Sequence, residues 1–232
     1  SNVINEIEQK MVMDILLTHF YFKTIKKYYK SANMLEIKKE ELTLSNVRQM
    51  FFNAKTRENK VDFVDKFLAS SFEQERVIIF VNSRAFVVKL RDILCGKGYK
   101  VFILMGGDMD PKNRDETIKK FNSGEIQILI TTNVLARGYD EKLIKLVINF
   151  DFPVKKVDLK SRKLVADPET YLHRIGRTGR FGTKGIGLTL LSGDNELEYI
   201  KQIEDYYKNQ LHEIKSIEEL EKEYKEFLIQ GY

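Results

Sequence analysis

Arginine and glycine recur together in the segment ETYLHRIGRTGRFGTKG, which spans residues 169–185. A guanidinium group is permanently charged, and it can bind phosphate or carboxylate oxygens through two parallel hydrogen bonds. A glycine inside a helix costs roughly 0.5–1 kcal/mol relative to alanine, but it lets the backbone approach a bound group closely. The segment therefore predicts an anion site, and an ordinary basic surface turn is the alternative. The arginines are Arg174, Arg177 and Arg180, and the interleaved glycines are Gly176, Gly179 and Gly182.

Small, polar and basic residues also follow four short apolar segments of the chain. They are Asn82–Arg84, Gly106–Asp108, TTNVLARGYD (131–140) and Asp151. Such a turn can offer hydroxyl groups, a guanidinium or a glycine backbone to an anion, with a helix N-terminus behind it. Ser, Thr and Asn also cap helices, so it is the recurrence of these turns that predicts a row of anion-binding positions.

Apolar segments of strand length alternate with amphipathic segments from about residue 47 onward. RVIIFVN (76–82) is apolar enough for a strand buried on both faces of a sheet. The amphipathic segments begin at capping residues such as Thr56, Ser83 and Asp167. This alternation predicts an α/β fold, a doubly wound parallel sheet with helices on both faces, in which ligands bind at the carboxyl ends of the strands. Strands are predicted at 47–54, 76–82, 100–108, 126–132, 145–151 and 185–191, with a terminal helix at 217–230.

Composition narrows the class of protein. The chain has 232 residues, of which 43% are hydrophobic and 31% charged, as is ordinary for a folded domain. Its formal net charge of +5 favours a polyanionic partner. The single cysteine, Cys95, excludes an internal disulfide framework and a cysteine-rich zinc site. No apolar segment approaches the roughly 20 residues that a bilayer-spanning helix needs, so we expect no membrane partner.

The segment YLHRIGRTGRFG (171–182) resembles motif VI of the DEAD-box RNA helicases. Four further segments resemble motifs of that family, in family order: VIIFVNSR (77–84) motif IV, GGDMDPKNRDETIKKFNSG (106–124) the Q-x-x-R element, TTNVLARGYD motif V, and VINFDFP (147–153) the motif after it. The resemblance covers about residues 42–210 and implies the second RecA-like domain of an ATP-driven RNA-remodelling enzyme. It assigns residues 34–232 to this helicase C-terminal domain, and residues 1–33 to an N-terminal extension or a remnant of the interdomain region.

The resemblance also implies that ATP binds between this domain and a first RecA-like domain in the same protein. In the family the last two arginines of motif VI reach the γ-phosphate, and the matching catalytic residues are Arg177 and Arg180. Phosphoryl transfer places negative charge on the γ-oxygens, which a rigid guanidinium can stabilise. Asp140 matches an acid that contacts the ribose, beside Gly138, although an acid at that position can also cap a turn. The implied cofactor is ATP with Mg²⁺, and the first domain would hold the metal.

Other matching positions have coupling or RNA-binding roles in the family. Those that couple the motifs are His173, Arg174 and Arg137, and a hydrogen-bonded packing histidine is the alternative for the first of them. The implied RNA contacts are Ser83, Arg84, Gly107, Arg114, Thr131 and Thr132, and a solvated helix residue is the alternative for Arg114. These positions grip the sugar-phosphate backbone of single-stranded RNA or a short duplex. Backbone contacts carry no base information, so we expect binding that is independent of sequence and weakened by salt.

Three departures from the family pattern limit what this chain can do alone. Pro111 stands where the family has the first glutamine of Q-x-x-R, which removes an amide contact. Tyr139 replaces an aliphatic residue in ARGYD, a change expected to affect only packing. Neither an A-x-x-G-x-G-K-T phosphate loop nor a D-E-A-D box occurs in the sequence. By itself, this chain is therefore expected to be inactive in ATP hydrolysis.

The segment between Pro153 and Tyr171 is longer than in the typical family member. With INFDFPV and LEIKKEELTLSNVRQMFF, this insertion resembles the nuclear-pore mRNA-export subgroup of DEAD-box proteins. The resemblance implies an export activator with inositol hexakisphosphate as a partner, and a nucleoporin that contacts mainly the first domain. It also implies a location in cytoplasm and nucleus, at the cytoplasmic face of the pore. The basic residues of the insertion either bind such a partner or form a solvated loop; they are Lys155, Lys156, Lys160, Arg162 and Lys163.

Two other classes of function compete with a helicase domain. A non-catalytic RNA-binding or adaptor module could keep the fold without the ATPase, but a pure binder would have no need of both Arg177 and Arg180. The second competing class is a DNA-directed relative of the same superfamily. The segments HRIGRTGR and ARGYD together favour an RNA-directed member instead. We therefore interpret the chain as the C-terminal half of an ATP-dependent RNA helicase.

Overall fold

The computed structural model describes residues 46–70, 75–105, 111–133, 144–158, 163–179 and 183–229, except for the side chains of Pro111, Arg114 and Ile229. All of these residues belong to one unit, Thr43–Tyr232. Residues 1–33, which the sequence analysis separates as an extension, lie outside the described residues. The boundary between that extension and the domain therefore stays a prediction.

A parallel sheet forms the centre of the domain. In chain order the strands are β1 (Val47–Asn53), β2 (Arg76–Phe80), β3 (Val101–Leu104), β4 (Ile128–Thr131), β5 (Ile144–Asn149), β6 (Val154–Lys156), β7 (Leu164–Ala166), β8 (Gly185–Leu191) and β9 (His212–Glu213). Seven of them form the sheet in the order β3-β4-β2-β5-β8-β1-β9, and every neighbouring pair is parallel. The non-consecutive order requires crossovers, as the predicted doubly wound sheet does.

Six α-helices within the described ranges connect or follow these strands. They are α1 (Arg57–Ala69), α2 (Arg84–Gly96), α3 (Pro111–Ser123), α4 (Pro168–Ile175), α5 (Leu197–Tyr207) and α6 (Ile217–Ile229). Three predicted N-caps are confirmed, because the side chains of Thr56, Ser83 and Asp167 each accept a backbone N–H from the first turn. Pro168 follows its cap at the start of α4, where a missing N–H costs nothing. The predicted cap Asp110 lies outside the described residues.

Helices cover both faces of the sheet, because alternate strand residues point to opposite sides. On β2, Val77 and Ile79 pack in an apolar cluster with α1, α2 and α6, whereas Ile78 and Phe80 pack with α3. A third cluster packs α4 and α5 against Val47 and neighbouring residues on the second face. These buried side chains explain why β2 reads as a continuous apolar run rather than an alternating one.

The insertion after Pro153 is folded into a hairpin, which the sequence analysis did not predict. Its strands β6 and β7 are antiparallel, with Val154 opposite Ala166. The backbone N–H of Ala166 donates to the side chain of Gln202 on α5, so the base of the hairpin is attached to the domain. Lys155 and Lys156 are exposed on β6. The described part of the insertion is therefore a hairpin, and both alternatives for its lysines, a partner or solvent, stay predictions.

Membrane-spanning helices and metal-binding clusters are both absent from the described residues. None of the helices in the described ranges has the length and apolar character needed to cross a bilayer. In the same part of the chain, no three His, Cys, Asp or Glu side chains are grouped closely enough to hold a metal ion. Cys95, on α2, is exposed with a free thiol.

Candidate functional site

Polar residues that follow the strands meet at the carboxyl edge of the sheet. In the parallel register Phe80 of β2 lies beside Thr131 of β4 on one side and Asn149 of β5 on the other. The segments after these three strands therefore leave the sheet together. Asn82, Asn133 and Asp151 come from those segments, and α4 brings a fourth group, Arg174, to the same place.

Arg174 is the centre of this edge. It is 1% exposed, and each of its three guanidinium nitrogens donates a hydrogen bond to a different segment or strand end. Nη2 donates to Asn82 Oδ1 at 2.7 Å, Nε to Asn133 Oδ1 at 2.9 Å, and Nη1 to the backbone oxygen of Asp151 at 2.8 Å. The guanidinium also lies 5.2 Å from the centroid of the Phe80 ring. One side chain of the motif VI segment thus joins the segments that resemble motif IV, motif V and the motif after it.

Burial changes the electrostatics of this guanidinium without neutralising it. Desolvation lowers the pKa of Arg174 from its ordinary value of 12.5 to about 10, and the carboxylates of Asp151 and Asp167 act in the opposite direction. The side chain therefore stays charged at neutral pH. Inside the domain, amide and backbone oxygens accept its N–H groups in place of water, which offsets part of the free-energy cost of burying the charge.

Asp151 extends the network to two further elements. Its Oδ2 accepts the backbone N–H of Asn82 at 2.9 Å, and its Oδ1 accepts Arg57 Nη2 at 2.9 Å. The Arg57 guanidinium also lies 4.4 Å from the centroid of Phe86, in the first turn of α2. Asp151 therefore connects the end of β5 to the start of α1 and to the turn that precedes α2.

A buried lysine of α1, Lys60, also contacts the backbone at the end of β5. It is 1% exposed on α1, and its Nζ donates to the backbone oxygen of Phe150 at 2.8 Å. Burial lowers the pKa of Lys60, while the carboxylates of Glu196 and Asp151 oppose that change. Sequence reasoning missed this residue, although a lysine on the apolar face of KVDFVDKF was a detectable signal.

Arg177 lies outside this buried network. Helix α4 ends at Ile175, and Gly176 caps it. Arg177 is half-buried, and its Nε donates to the backbone oxygen of His173 at 3.2 Å. The His173 side chain is exposed, so the alternative of a packed histidine finds no support in the structure. The two predicted roles, γ-phosphate contact for Arg177 and coupling for His173, stay predictions.

The predicted RNA-binding residues fall into two groups. Ser83 and Arg84 are exposed at the start of α2, where a phosphate could reach them, and Thr132 is half-buried. Thr131 is different, because its side chain is 0% exposed and its hydroxyl donates to the backbone oxygen of Leu104 at 2.8 Å. In this structure the Thr131 side chain links β4 to β3, and its predicted contact with RNA stays a prediction.

Six predicted site residues cannot be located within the described part of the chain. Five lie outside the described ranges altogether, and for the sixth only the side chain is excluded. Their predicted roles in nucleotide binding, coupling and RNA binding are unchanged. The five are Gly107, Arg137, Gly138, Asp140 and Arg180, and the sixth is Arg114.

The polar turns that follow the strands have a structural role that the sequence does not predict. Asn82, Asn133 and Asp151 were interpreted as parts of anion-binding turns, yet their oxygens accept hydrogen bonds from Arg174. The shared signal is an Asn or Asp two residues after the end of a buried strand. Ser83 and Arg84, directly beside Asn82, remain exposed. The buried network therefore holds exposed cationic and hydroxyl groups at one edge, an arrangement that can bind phosphate groups.

Comparison with known proteins identifies the kind of domain. Residues 59–182 match the family model described as helicase conserved C-terminal domain. The ATP-dependent RNA helicase DBP5 of Ajellomyces capsulatus (strain NAm1 / WU24) is 37% identical over 193 residues, which cover 81% of this chain and 37% of that protein. The chain thus spans well under half the length of this curated relative.

Solved structures agree with this result. S. cerevisiae Dbp5 bound to RNA and ADP BeF3 is 32% identical with a TM-score of 0.74, over 91% of this chain and 53% of that one. The C-terminal domain of S. cerevisiae Dbp5 bound to Gle1 and IP6 is 32% identical with a TM-score of 0.66, over 79% of this chain and 99% of that one. The predicted RecA-like fold and the DEAD-box resemblance are confirmed, and because the family model covers more than half of the chain, it belongs to the helicase conserved C-terminal domain family.

Proposed function

We propose that this chain is the second RecA-like domain of an ATP-dependent RNA helicase that remodels RNA or RNA–protein complexes in mRNA export. The observation that carries the proposal is the Arg174 network, in which one guanidinium joins three segments with family motif patterns. An adaptor that only bound RNA would need exposed cations. It would not need Arg174 to connect the motif VI segment, which is proposed to contact ATP, with the turn before α2, which is proposed to contact RNA. The similarity to Dbp5 proteins supports the same function.

In this proposal the domain supplies half of an ATP site. Arg177 and Arg180 contact the γ-phosphate, and Gly138 and Asp140 contact the ribose side of the nucleotide. The first RecA-like domain would supply the phosphate loop and hold Mg²⁺. The chemistry asked of this chain is the stabilisation of negative charge on the γ-oxygens, which needs correctly placed guanidinium groups rather than a base. Closure of the two domains on ATP and RNA would bring those groups into reach.

The RNA partner would contact the exposed start of α2 and its neighbours. Ser83 and Arg84 are exposed there, and Arg174 fixes the preceding Asn82. Thr132, Gly107 and Arg114 complete the proposed set. Because these groups address phosphate and sugar, binding would be independent of base sequence.

The solved structures of similar proteins support the proposed protein partners. The C-terminal domain of S. cerevisiae Dbp5 has been solved with Gle1 and IP6, which supports an export activator with inositol hexakisphosphate as a partner of this chain. Lys155 and Lys156 of the hairpin are exposed cations that could contact such a polyanion. A nucleoporin would contact mainly the first domain. The protein would then act in cytoplasm and nucleus, at the cytoplasmic face of the nuclear pore.

The test of the proposed function compares the full-length protein with this chain alone. We expect the full-length protein to hydrolyse ATP with stimulation by RNA, and this chain to show no ATP hydrolysis with or without RNA. Phosphate release at saturating ATP, with and without a single-stranded RNA, measures both. RNA binding by the full-length protein without any ATP hydrolysis would instead support the adaptor module, and hydrolysis by this chain alone would contradict the proposal.

An RNA-binding prediction concerns Arg84. Replacing it with alanine in the full-length protein should weaken binding equally for RNAs of different sequence, because a phosphate contact is lost. The slope of log affinity against log salt should become shallower by about 0.7, the value for one phosphate on a single strand. Lys89→Ala, at an exposed position of the same helix, is the matched control and should leave the slope unchanged. Fluorescence anisotropy across a salt series measures both, and an unchanged slope for Arg84→Ala would exclude the contact.

A further inference from the structure

Two glycines of β8 let α4 and the segment after it lie directly on the sheet. A Cβ at Gly187 would come within 2.9 Å of Ile175 Cγ2, at the end of α4. A Cβ at Gly185 would overlap the Thr178 side chain and lie 2.7 Å from its Cβ. The backbone that carries Arg177 is therefore in contact with β8 on both sides of that arginine.

Thr178, which follows Arg177, is anchored inside the domain. Its side chain is 1% exposed, and its hydroxyl donates to the backbone oxygen of Ile144 at 2.5 Å. Ile144 is the first residue of β5. The backbone N–H of Thr178 donates to the oxygen of Ile175 at 3.2 Å. Both the side chain and the backbone of Thr178 thus donate hydrogen bonds inside the domain, although arginines and glycines around it are typical of an exposed segment.

Gly179 packs against the residues that lead into β1. Its φ of +69° lies in the left-handed region, which favours glycine. A Cβ there would be 2.9 Å from the backbone oxygen of Asn46 and 2.6 Å from Val47 Cγ2. The Asn46 oxygen also accepts the backbone N–H of Gly185 at 2.9 Å. The segment between Arg177 and Arg180 therefore rests on the residues that begin β1.

We infer that Thr178 and Gly179 are positioning residues for the arginine pair. The hydroxyl of Thr178 fixes the segment to β5, and the missing side chain of Gly179 lets it rest against Asn46. This inference rests on the proposed function, because it assigns Arg177 and Arg180 to the γ-phosphate. Displacing a charge-stabilising group by about 1 Å can lower a rate about 10²-fold while leaving substrate binding intact.

The first experiment replaces the anchor of Thr178 in the full-length protein. Thr178→Val keeps the shape but cannot donate to Ile144, whereas Thr178→Ser keeps the hydroxyl. We expect the valine variant to lose about tenfold or more in RNA-stimulated kcat with KM for ATP within twofold, and the serine variant to retain most of the kcat. Thr117→Val is the matched control, because Thr117 is also 1% exposed and donates to a backbone oxygen, that of Asn113.

The second experiment separates the close approach of Gly179 from its backbone conformation. Gly98 has a φ of +93°, and a Cβ at that position would have nothing within 4 Å, so Gly98→Ala carries only the conformational cost. We expect both alanine variants to lower Tm, but only Gly179→Ala to lower kcat about tenfold or more.

Arg177→Ala, measured alongside, distinguishes a failure of the positioning role from a failure of the proposed function. If Arg177→Ala lowers kcat but Thr178→Val and Gly179→Ala do not, the positioning role is wrong and the proposed function stands. If Arg177→Ala leaves kcat unchanged, the assignment of the arginines to the γ-phosphate fails and the positioning role fails with it. Equal losses of kcat in Gly98→Ala and Gly179→Ala would also overturn the inference, because the loss would then follow stability alone.

Discussion

Replacing Arg177 with alanine in the full-length protein should lower RNA-stimulated ATP turnover by about 10³–10⁵-fold and change ATP affinity little. Arg177 is half-buried just after α4, and its Nε rests on the backbone oxygen of His173. In the proposed closed state of the two domains, this guanidinium contacts the γ-phosphate. The charge that develops on the γ-oxygens in the transition state would then lose its partner, whereas the ground-state nucleotide would keep its other contacts. Single-turnover hydrolysis and nucleotide titration measure the two quantities separately.

Two comparisons make this result specific. Arg177→Lys should recover little of the turnover, since an ammonium group cannot form the paired hydrogen bonds of a guanidinium. Arg91→Ala removes an arginine from the outer surface of α2, where it contacts the neighbouring Asp92, and should leave turnover unchanged. Turnover by Arg177→Ala close to that of the unaltered protein would rule out a direct role at the γ-phosphate.

The largest expected effect on stability belongs to Arg174. Replacing it with methionine should lower the free energy of unfolding of this chain by about 2–4 kcal/mol, because oxygens of buried residues such as Asp151 lose their donor. Asp151 would keep Arg57, but its backbone oxygen would be left without the Nη1 donor. Asn82 and Asn133 would lose their common partner and the turns they occupy would separate. Urea unfolding monitored by circular dichroism gives the free energy directly.

Arg48→Met provides the control for losing an arginine. Arg48 also makes an ion pair, with Glu223 at 2.9 Å, but its side chain is 45% exposed. Pairs of this kind contribute about 0–1 kcal/mol, so the two variants should differ clearly. Arg174→Lys should resemble Arg174→Met, since one ammonium group cannot reach three separate segments. If the Arg174 and Arg48 variants unfolded at the same urea concentration, the network would have no structural importance.

Much of the fold could be predicted because its local signals agree with its tertiary structure. The apolar run around Val77 predicts a buried strand, and the caps Thr56 and Asp167 mark the helix starts correctly. The two-residue strand β9 and the hairpin of β6 and β7 were missed. Their residues carry no strong hydrophobic periodicity, and each strand forms because a partner strand lies beside it. Strand β9 pairs with β1, and β6 pairs with β7.

The candidate site, like the fold, could be predicted only in part. Residue types and spacing were sufficient to predict phosphate-binding chemistry, and the resemblance to the DEAD-box family implied different roles for Arg174 and Arg177. They could not predict that Asn82, Asn133 and Asp151 would surround Arg174, because these residues are far apart in the chain and meet only when three parallel strands end together. For the same reason the sequence could not predict that the Thr131 hydroxyl donates to a backbone oxygen of the neighbouring strand.

The order of residues was enough to predict the α/β architecture, the family and the groups available for chemistry. Which of those groups are enclosed, and which lie outside the Arg174 network, depends on the tertiary structure. Arg174 and Arg177 are three residues apart and would share one face of a continuous helix. Helix α4 stops at Ile175, however, and Thr178 and Gly179 bind the following backbone to β5 and β1. One arginine is therefore sealed into the carboxyl edge of the sheet, while the other leaves it, because burial and strand pairing depend on contacts distant in sequence.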